Sequence, residues 1–500
     1  MESGTADPQP PKLKSRSSSS AISEFSRLPP MEFPYRKLLF SLSLFSLSTL
    51  STLSHSHFAP IDIYLVDCGS TAESTVDNRR FVPDSSNPDS PLSSSTRSIP
   101  LRNENPVPNS PQIYSTARAF RQPSKYEFQI HDPGTHLVRL HFQTFNSLKL
   151  DWNDAQFHVL VNGFVTLTDF RATKIPVVME FLIWVDSKKL VIEFVPAKKS
   201  YFAFVNAIEV ISAPKDLVAD TAKFVSDEKV EGFNGLIKQA LQVVYRVNVG
   251  GSKVTPCNDT LWRTWVTDDE YLESDSGSKR VYFGGRIKYQ GGGPSREVGP
   301  DNVYNTARVI HSANALIPHV NMTWVFAAVG GYKYLVRLHF CDIASISIGL
   351  LYFNVYVNGK LAYENLDLSM AANYMLASPF YADFVVDGED SGVLSVSVGP
   401  SNMSVPYAID GILNGIEIMR LNNSMGSLDG EHCAGWVLRN WPSGNVGAAV
   451  PLVAAACLLL SISLVIRRRM SGKEFVGWSK LPTDVSEVNL KHGVTQLSVK

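Results

Sequence analysis

The sequence predicts a mainly β protein, with two tandem β-sandwich domains of the jelly-roll type followed by one transmembrane helix. Three observations lead to this prediction. The hexapeptide LVRLHF occurs at 137–142 and again at 335–340, and the strings around the two copies also match. Short segments in both copies alternate apolar and polar residues, which is typical of half-buried strands. A charge-free apolar stretch comes after the second copy and ends at three arginines.

The repeat extends far beyond the hexapeptide. Three further pairs of strings match in the same order: PQIYSTARAF with DNVYNTARVI, FHVLVNGFVTLTDF with FNVYVNGKLAYENL, and FVNAIEVI with ILNGIEIM. Preserved order with drifting spacing indicates one domain present twice, with loops of different length. We therefore predict a first domain over 62–214, a linker over 215–240 and a second domain over 241–421.

The hexapeptide itself is predicted to be a strand. Side chains alternate between the two faces of a sheet, so Val138, Leu140 and Phe142 share one face. Arg139 and His141 share the other face. The second copy predicts the same division, with an apolar face for the core of each domain.

Tight hairpins are predicted where Asn-Gly interrupts the alternation, at 162–163 and 358–359. Both residues of such a pair tolerate positive φ, which the favoured two-residue hairpin turn requires. Further strands are predicted at 189–197, 204–211, 393–400 and 415–421. Short strands joined by turns favour antiparallel sandwiches.

The N-terminal region reads as a leader and a targeting signal. Residues 1–30 are rich in Ser and Pro and predict a disordered leader. Met31 opens a basic region and then a Ser-interrupted apolar stretch, the layout of a secretory signal peptide over 31–57. We expect Met31 to be the initiator. An organelle transit peptide that begins at Met1 is the alternative.

The apolar stretch at 446–466 predicts a membrane span. At about 1.5 Å per residue it reaches about 31 Å, the thickness of the hydrocarbon core of a bilayer. Arg467–Arg469 follow at once, and basic flanks stay cytoplasmic. This predicts a single-pass type I plasma-membrane protein with an extracellular N-terminus, a juxtamembrane stalk over 422–445 and a cytoplasmic tail over 467–500. A buried core helix is the alternative.

Glycosylation signals agree with an extracellular position for the second domain. N-glycosylation sequons are present at Asn258, Asn321, Asn402 and Asn422. A formal net charge of −1 gives no electrostatic argument for binding nucleic acid.

The cysteines leave their redox state open. Four lie outside the predicted span: Cys68, Cys257, Cys341 and Cys433. Four cysteines allow three pairings, no spacing selects one, and free buried thiols are equally compatible. No metal-binding or redox spacing is present, so we expect neither a metal nor a cofactor.

Several strings together resemble a known family. YLVDCGS at 64–70, the YNTAR string, LVRLHF followed by CDI, and VNVGGSKVTPCNDTLWRTWVTDDEYL at 247–272 are similar to the malectin-like domain. Two such domains before one span resemble the extracellular half of the plant FERONIA/THESEUS-type receptor kinases. The resemblance implies recognition of secreted cysteine-rich alkalinization-factor peptides and of cell-wall pectin, with a GPI-anchored co-receptor and possible contact with a related receptor kinase.

The family also implies a cytoplasmic Ser/Thr kinase, and this chain carries no kinase motif after the span. There is no VAIK-like lysine, HRD or DFG, so we expect the chain itself not to be an enzyme. A truncated product and a kinase-less receptor both fit. The alternative function is a lectin-like anchor that binds pectin and joins wall to membrane without signalling.

Four residues are candidates for ligand binding. Trp262 and Trp265 could stack on sugar rings, or they could pack the joint between the domains or line the core of the second domain. Arg139 and Arg337 could bind carboxylates such as galacturonate, or they could pair with Glu209 or Glu417 inside each domain. His141 and His339 read as framework groups.

The acidic run Asp268, Asp269 and Glu270 is a poor candidate for glycoside hydrolysis. Two acids must face one bond at about 5–9.5 Å, whereas neighbours on a strand point to opposite faces. We interpret the run as a solvated loop or a calcium contact.

Overall fold

The computed structural model describes residues 58–85, 91–93, 97–147, 149–273, 277–310, 321–404, 408–441, 455 and 457–467. The chain divides into two units, 1–57 and 58–500, and every described residue belongs to the second unit. The predicted leader, the signal peptide and the tail beyond residue 467 therefore lie outside the described residues and stay predictions.

The first repeat comprises the strands up to residue 212. In chain order they are β1 (Ile63–Asp67), β2 (Ser74–Val76), β3 (Arg79–Pro83), β4 (Ser98–Arg102), β5 (Thr116–Phe120), β6 (Ser124–Gln129), β7 (Gly134–Phe142), β8 (Phe157–Val161), β9 (Phe164–Phe170), β10 (Val177–Val185), β11 (Lys189–Pro196), β12 (Ala203–Val205) and β13 (Ala207–Ser212). Single 3-10 turns lie at Gln112–Tyr114 and Trp152–Asp154. The linker contributes β14 (Thr221–Val225), β15 (Val230–Asn234) and a 3-10 turn at Leu236–Lys238.

The second repeat comprises β16 to β27. These are β16 (Leu241–Asn248), β17 (Val266–Thr267), β18 (Ser278–Tyr282), β19 (Thr306–Ile310), β20 (Met322–Ala327), β21 (Lys333–Cys341), β22 (Tyr352–Val357), β23 (Lys360–Asp367), β24 (Pro379–Asp387), β25 (Val393–Pro400), β26 (Gly411–Leu413) and β27 (Gly415–Leu421). The short helices are α1 (Asp301–Tyr304), α2 (Leu368–Ala371) and α3 (Ala434–Asn440), with a 3-10 turn at Pro256–Asn258.

One long sheet runs through both repeats. Its strand order is β15-β14-β24-β21-β27-β16-β10-β7-β13-β1-β3-β2. The order β24-β21-β27-β16 in the second repeat corresponds to β10-β7-β13-β1 in the first, so the two repeats have the same topology. They meet where β10 and β16 pair antiparallel at Phe181–Gln242 and Leu182–Leu241.

Smaller sheets cover the core face of the long sheet. They are β6-β11-β8-β9 and β12-β5-β4 in the first repeat, and β20-β25-β22-β23 and β18-β19-β26 in the second. Each repeat is thus a mainly β sandwich, as the sequence predicts. Val138, Leu140 and Phe142 lie in the first core, and their counterparts at 336, 338 and 340 lie in the second. The predicted faces of the hexapeptide are confirmed in both copies.

The predicted hairpins and strands are also confirmed. Asn162-Gly163 and Asn358-Gly359 have positive φ at both residues, and they join β8 to β9 and β22 to β23. The predicted strand at 204–211 is interrupted at Asn206. The Asn206 side chain accepts a hydrogen bond from Gln143 N and donates one to Thr116 O, which separates β12 from β13.

The segment after the second repeat returns to the first. Ser427 forms a parallel bridge with Val165 of β9, and Leu428 is fully buried in the first core. Thr168 N donates to Asp429 Oδ2 at 2.7 Å. Farther on, Val437 of α3 packs against the outer face of the small sheet of the first repeat. The part of the predicted stalk that is described, up to residue 441, is therefore packed and not extended.

The predicted membrane span is described only in part: residues 455 and 457–466 belong to the described residues, and 446–454 and 456 do not. Residues 457–467 are helical. Among the described residues, no helix is long and apolar enough to cross a membrane. The span and the type I topology stay predictions.

Candidate ligand-binding cleft between the repeats

A chain of buried ion pairs crosses the junction between the repeats. Arg246 on β16 places Nη2 2.6 Å from Glu180 Oε1 on β10, and its Nε lies 2.8 Å from Glu417 Oε1 on β27. Glu180 is the one charged residue of β10 and Arg246 that of β16, whereas β27 carries Arg420 besides Glu417. The pairing β10–β16 brings the three together, so this arginine joins a carboxylate of one repeat to a carboxylate of the other.

The ion pairs continue into the first repeat. Arg139 Nε lies 2.6 Å from Glu180 Oε2, and its Nη1 lies 2.9 Å from Glu209 Oε2. Arg79 also contacts Glu209, with Nη1 2.6 Å from Oε2. The three arginines and three glutamates in this chain, called the junction ladder below, are Arg79, Glu209, Arg139, Glu180, Arg246 and Glu417.

The electrostatics of the ladder follow from its burial and its alternating charges. Burial alone would raise the pKa of Glu180, but the charges of Arg246 and Arg139 outweigh it and lower the pKa to about 2. The pKa of Glu209 and that of Glu417 are lowered by the same balance. The glutamates of the ladder are therefore ionised, and their charges are compensated inside the protein.

A histidine and a tyrosine flank the ladder in each repeat. His141 Nε2 lies 2.9 Å from Glu209 Oε1, and the Tyr114 hydroxyl lies 3.1 Å from His141 Nδ1. The second repeat repeats this geometry, with His339 3.1 Å from Glu417 and its other ring nitrogen 3.0 Å from the Tyr304 hydroxyl. Both histidines are thus framework groups, as predicted from the sequence.

A cavity of about 450 Å³ opens above the ladder. Its lining combines charged groups of the ladder with aromatic and apolar side chains of both repeats: Arg79, Arg139, Glu180, Glu209, Arg246, Tyr114, Tyr245, Tyr271, Trp262, Val178, Val243 and Val244. The volume lies within the range of ordinary ligand pockets. A charged floor with aromatic walls can bind a peptide or a sugar through its exposed side-chain edges.

The segment that carries the two candidate tryptophans is organised by Asp259. Its Oδ2 accepts the indole N–H of Trp265 at 3.0 Å, and its Oδ1 accepts the backbone N–H of Leu261 at 2.8 Å. Trp265 is fully buried. Trp262 has φ of 53° and lies on the wall of the cleft. Of the two tryptophans, Trp262 is placed to contact a ligand, whereas Trp265 packs against Val254 and Val303 inside the second repeat.

The two candidate arginines also separate. Arg139 lines the cleft and donates from Nη2 to Leu261 O at 2.8 Å. Arg337 is fully buried, binds both oxygens of Asp383 at 2.8 Å and donates to Leu217 O at 2.6 Å. Arg139 pairs with Glu209, the partner suggested from the sequence. Arg337 pairs with Asp383 and not with the suggested Glu417. Because the guanidinium of Arg337 is fully engaged in these buried hydrogen bonds, we do not assign Arg337 to the ligand site.

The interpretation of Asp268 as part of a solvated loop was wrong. Asp268 is fully buried; its Oδ2 lies 2.5 Å from Arg308 Nε and 3.1 Å from the indole nitrogen of Trp324. Asp269 is half-exposed and pairs with Arg280 and Arg308. Among the residues that the structure describes, no cluster of His, Cys, Asp and Glu could hold a metal ion.

The sequons and cysteines can be placed as follows. Asn258, Asn321 and Asn402 are exposed, whereas Asn422 is half-buried. The Asn422 side chain accepts from Ala240 N and donates to Asn423 O, so its amide is engaged in the fold. No described cysteine is paired with another. Occupancy of the sequons stays a prediction.

Glu180 and Arg246 were not predicted from the sequence as residues of the site. A lone acid in VVMEFLIWV and a lone base in LQVVYRVNVG are the signals that could have indicated buried ion pairs. Their partners depend on which strands are neighbours, and the junction pairing that decides this has no local sequence signature.

Known proteins show the same domain and the same fold. The malectin-like domain family matches residues 66–421. The chain is 34% identical to the receptor-like protein kinase HERK 1 of Arabidopsis thaliana over 466 residues, which cover 91% of this chain and 54% of that protein. It is 38% identical to THESEUS 1 of Arabidopsis thaliana, over 79% of this chain and 45% of that protein. The chain thus spans about half the length of the curated relatives it matches.

Solved ectodomains match in three dimensions. The ANX1 ectodomain from Arabidopsis thaliana aligns with a TM-score of 0.66 and 28% identity, over 74% of this chain and 98% of that chain. A crystal structure of the plant peptide RALF23 in complex with FER and LLG2 contains a chain that aligns with a TM-score of 0.64 and 30% identity, over 75% of this chain and 99% of that chain. The chain therefore belongs to the malectin-like domain family, within the plant FERONIA/THESEUS-type receptor-like kinase group.

Proposed function

We propose that the chain is the ligand-sensing extracellular part of a receptor at the plasma membrane. In this proposal it recognises a secreted cysteine-rich peptide of the alkalinization-factor type together with a GPI-anchored co-receptor. The observation that carries the proposal is its 30% identity to a chain solved in a complex of peptide RALF23, FER and LLG2. The span at 446–466 and an intracellular segment from residue 467 complete the proposed topology.

The cleft between the repeats is the proposed recognition site. Its walls come from both repeats, so a ligand there would contact both at once. Trp262 and Tyr245 supply aromatic surface, and Val178, which is 46% exposed, supplies an apolar edge. The ionisable groups of the floor are paired with one another, which suits binding and gives no acid–base pair for catalysis.

Signalling would require a kinase domain. The curated relatives are named as receptor-like protein kinases, and this chain matches about half of their length. We propose that the signal passes to such a domain, carried by the remainder of a longer protein or by a related receptor kinase that joins the complex.

Binding of a RALF23-type peptide to the full chain, purified in detergent and held on a biosensor, tests the proposal. We expect binding that strengthens when an LLG2-type protein is added. The Trp262→Ala variant should weaken it by about tenfold, the effect of truncating one buried aromatic anchor. Trp436→Ala is the matched control, because Trp436 is 41% exposed on α3.

Two results would overturn the proposal. One is the absence of peptide binding with and without the LLG2-type protein. The other is binding of oligogalacturonide without any peptide binding, which would make the chain a pectin-binding wall anchor.

A further inference from the structure

A second cleft lies on the second repeat, away from the junction ladder. It has a volume of about 550 Å³. Its lining comes mainly from the linker, from β23 and β24 and from a glycine-rich loop, and includes Asp216, Lys223, Tyr363, Tyr381 and Asp383. None of these residues lines the cavity between the repeats.

One edge of β24 is open in this second cleft. On one side β24 pairs with β21 along its whole length, from Pro379 to Asp387. On the other side the parallel strand β14 pairs only with Phe384 and Val385. Within the described residues, no strand or bridge pairs with that side of 379–383. An unpaired strand edge offers a row of backbone donors and acceptors to an added strand.

A cation without an anionic partner stands beside this edge. Lys223 is half-buried, and its Nζ lies 3.5 Å from the centroid of the Tyr363 ring. No carboxylate of the described residues lies within ion-pair distance of Lys223. Burial lowers the pKa of Lys223, which shows that its charge is poorly solvated. A cation–π contact compensates less than an ion pair would, so a carboxylate added here would be favourable.

The carboxylates that line the cleft already have partners. Asp383 holds Arg337 through both of its oxygens, and Asp216 Oδ2 accepts the backbone N–H of Ser295 at 2.8 Å. Of the three charged residues that line the cleft, Lys223 is therefore the one whose side chain has neither an ion pair nor a hydrogen bond within the described residues. Tyr363 and Tyr381 add aromatic surface on either side of it.

We propose that this cleft, called the β24 cleft below, takes an extended peptide segment by strand addition, with an acidic side chain of that segment paired to Lys223. The open stretch 379–383 has five residues and matches an added strand of about the same length, at about 3.3 Å per residue. The backbone N–H and C=O groups of β24 are spaced to pair with those of another extended strand, which favours a peptide over a sugar. The inference rests on the proposed recognition of a secreted peptide and adds a second contact site on the same chain.

The first experiment selects a ligand and then tests how it binds. A phage-displayed library of random heptapeptides is panned on the full chain, with counter-selection on the full-length Lys223→Glu variant. We expect enriched sequences with an acidic residue at one fixed position. The best peptide is then synthesised, labelled and titrated by fluorescence anisotropy.

Two changes separate strand addition from a side-chain contact alone. Lys223→Glu should weaken the peptide by more than about tenfold and Lys223→Gln by a few-fold, because one partner of a partly buried pair is reversed or neutralised. N-methylation of alternate backbone amides of the peptide should abolish binding. Lys229→Glu is the matched control, since Lys229 lies in the same linker and forms an exposed pair with Glu231.

Each contrary result overturns the inference. These results are no enrichment over the counter-selected variant, equal affinity for wild type and Lys223→Gln, or unchanged binding after N-methylation. A galacturonate oligomer that binds in a Lys223-dependent manner where no peptide does would assign the cleft to glycan. If the RALF23-type peptide loses affinity with Trp262→Ala and not with Lys223→Glu, the proposed function stands and this inference fails.

Discussion

Arg246 and Glu180 form the contact that joins the two repeats electrostatically. The guanidinium Nη2 lies 2.6 Å from Glu180 Oε1, and both side chains are buried. The strands that carry them pair through only two residue pairs, Phe181–Gln242 and Leu182–Leu241. The relative position of the sandwiches therefore depends on side-chain ion pairs as well as on the short backbone ladder.

Removing Arg246 should destabilise the protein strongly. Arg246→Ala leaves Glu180 and Glu417 buried with one cation fewer, and breaking a buried pair in this way costs about 3–5 kcal/mol. Unfolding by guanidinium chloride, followed by intrinsic fluorescence, measures the loss. Arg80→Ala is the control, because Arg80 pairs with Glu73 on the surface. An equally small change for both variants would contradict a structural role for the ladder.

Acid should weaken the ladder in a defined pH range. Folding lowers the pKa of Glu180 from 4.5 to about 2, so the unfolded chain binds more protons between these values. The ionised Glu180 carboxylate contributes about 3 kcal/mol to the free energy of unfolding above pH 4.5, and this contribution is lost as the pH falls toward 2. Over this range, the unfolding free energy of Glu180→Gln should rise with pH less steeply than that of wild type. The difference in slope should correspond to the uptake of about one proton on unfolding.

The exposed Glu231→Gln is the matched control for that titration. It makes the same chemical change on the surface strand β15, where Glu231 pairs with Lys229. Parallel curves for wild type and Glu180→Gln would show that the Glu180 carboxylate does not contribute in this range.

Much of the fold could be predicted from local pattern, and much of the site could not. Alternation placed Val138 and Arg139 on opposite faces, because side-chain direction is a local property of a strand. Burial of Asp268 depends on Arg308 and Trp324, which lie 40 and 56 residues farther along the chain. A run of acids in isolation looks solvated, so this burial is a consequence of tertiary structure that no local pattern predicts.

Two glycines at equivalent positions should tolerate no side chain. A Cβ on Gly69 would lie 2.2 Å from Ala117 O, and one on Gly250 would lie 2.3 Å from Ala307 O. Both also have positive φ. Either change to alanine should prevent folding or lower the unfolding midpoint sharply, because the added Cβ would push the glycine segment away from the backbone of the facing strand.

Gly163→Ala is the control that isolates backbone strain. Gly163 also has positive φ, of 83°, but nothing lies within 4 Å of its added Cβ. This variant should lose only about 1–2 kcal/mol, the cost of the left-handed conformation for an L-residue. Similar losses for Gly69→Ala and Gly163→Ala would mean that close approach is not the reason for Gly69.

The two tryptophans of the TLWRTW string should respond differently to truncation. Trp265→Ala removes a fully buried ring whose N–H is bound to Asp259, and should cost about 3–5 kcal/mol. Trp262→Ala removes a half-buried ring on the cleft wall and should change the unfolding midpoint much less. Thermal unfolding of the two variants side by side makes the comparison. A larger loss for Trp262→Ala would indicate that Trp262 is the packing residue.

The segment after the second repeat should stabilise the first. Leu428 is fully buried in the first core although it follows the second repeat in the chain. Leu428→Ala should therefore cost about 2–5 kcal/mol and increase hydrogen exchange in β9, where Thr168 N is bound to Asp429. Leu438→Ala is the matched control, because Leu438 is 41% exposed on α3. If exchange in β9 were the same in both variants, the segment would not couple the C-terminal part of the chain to the first repeat.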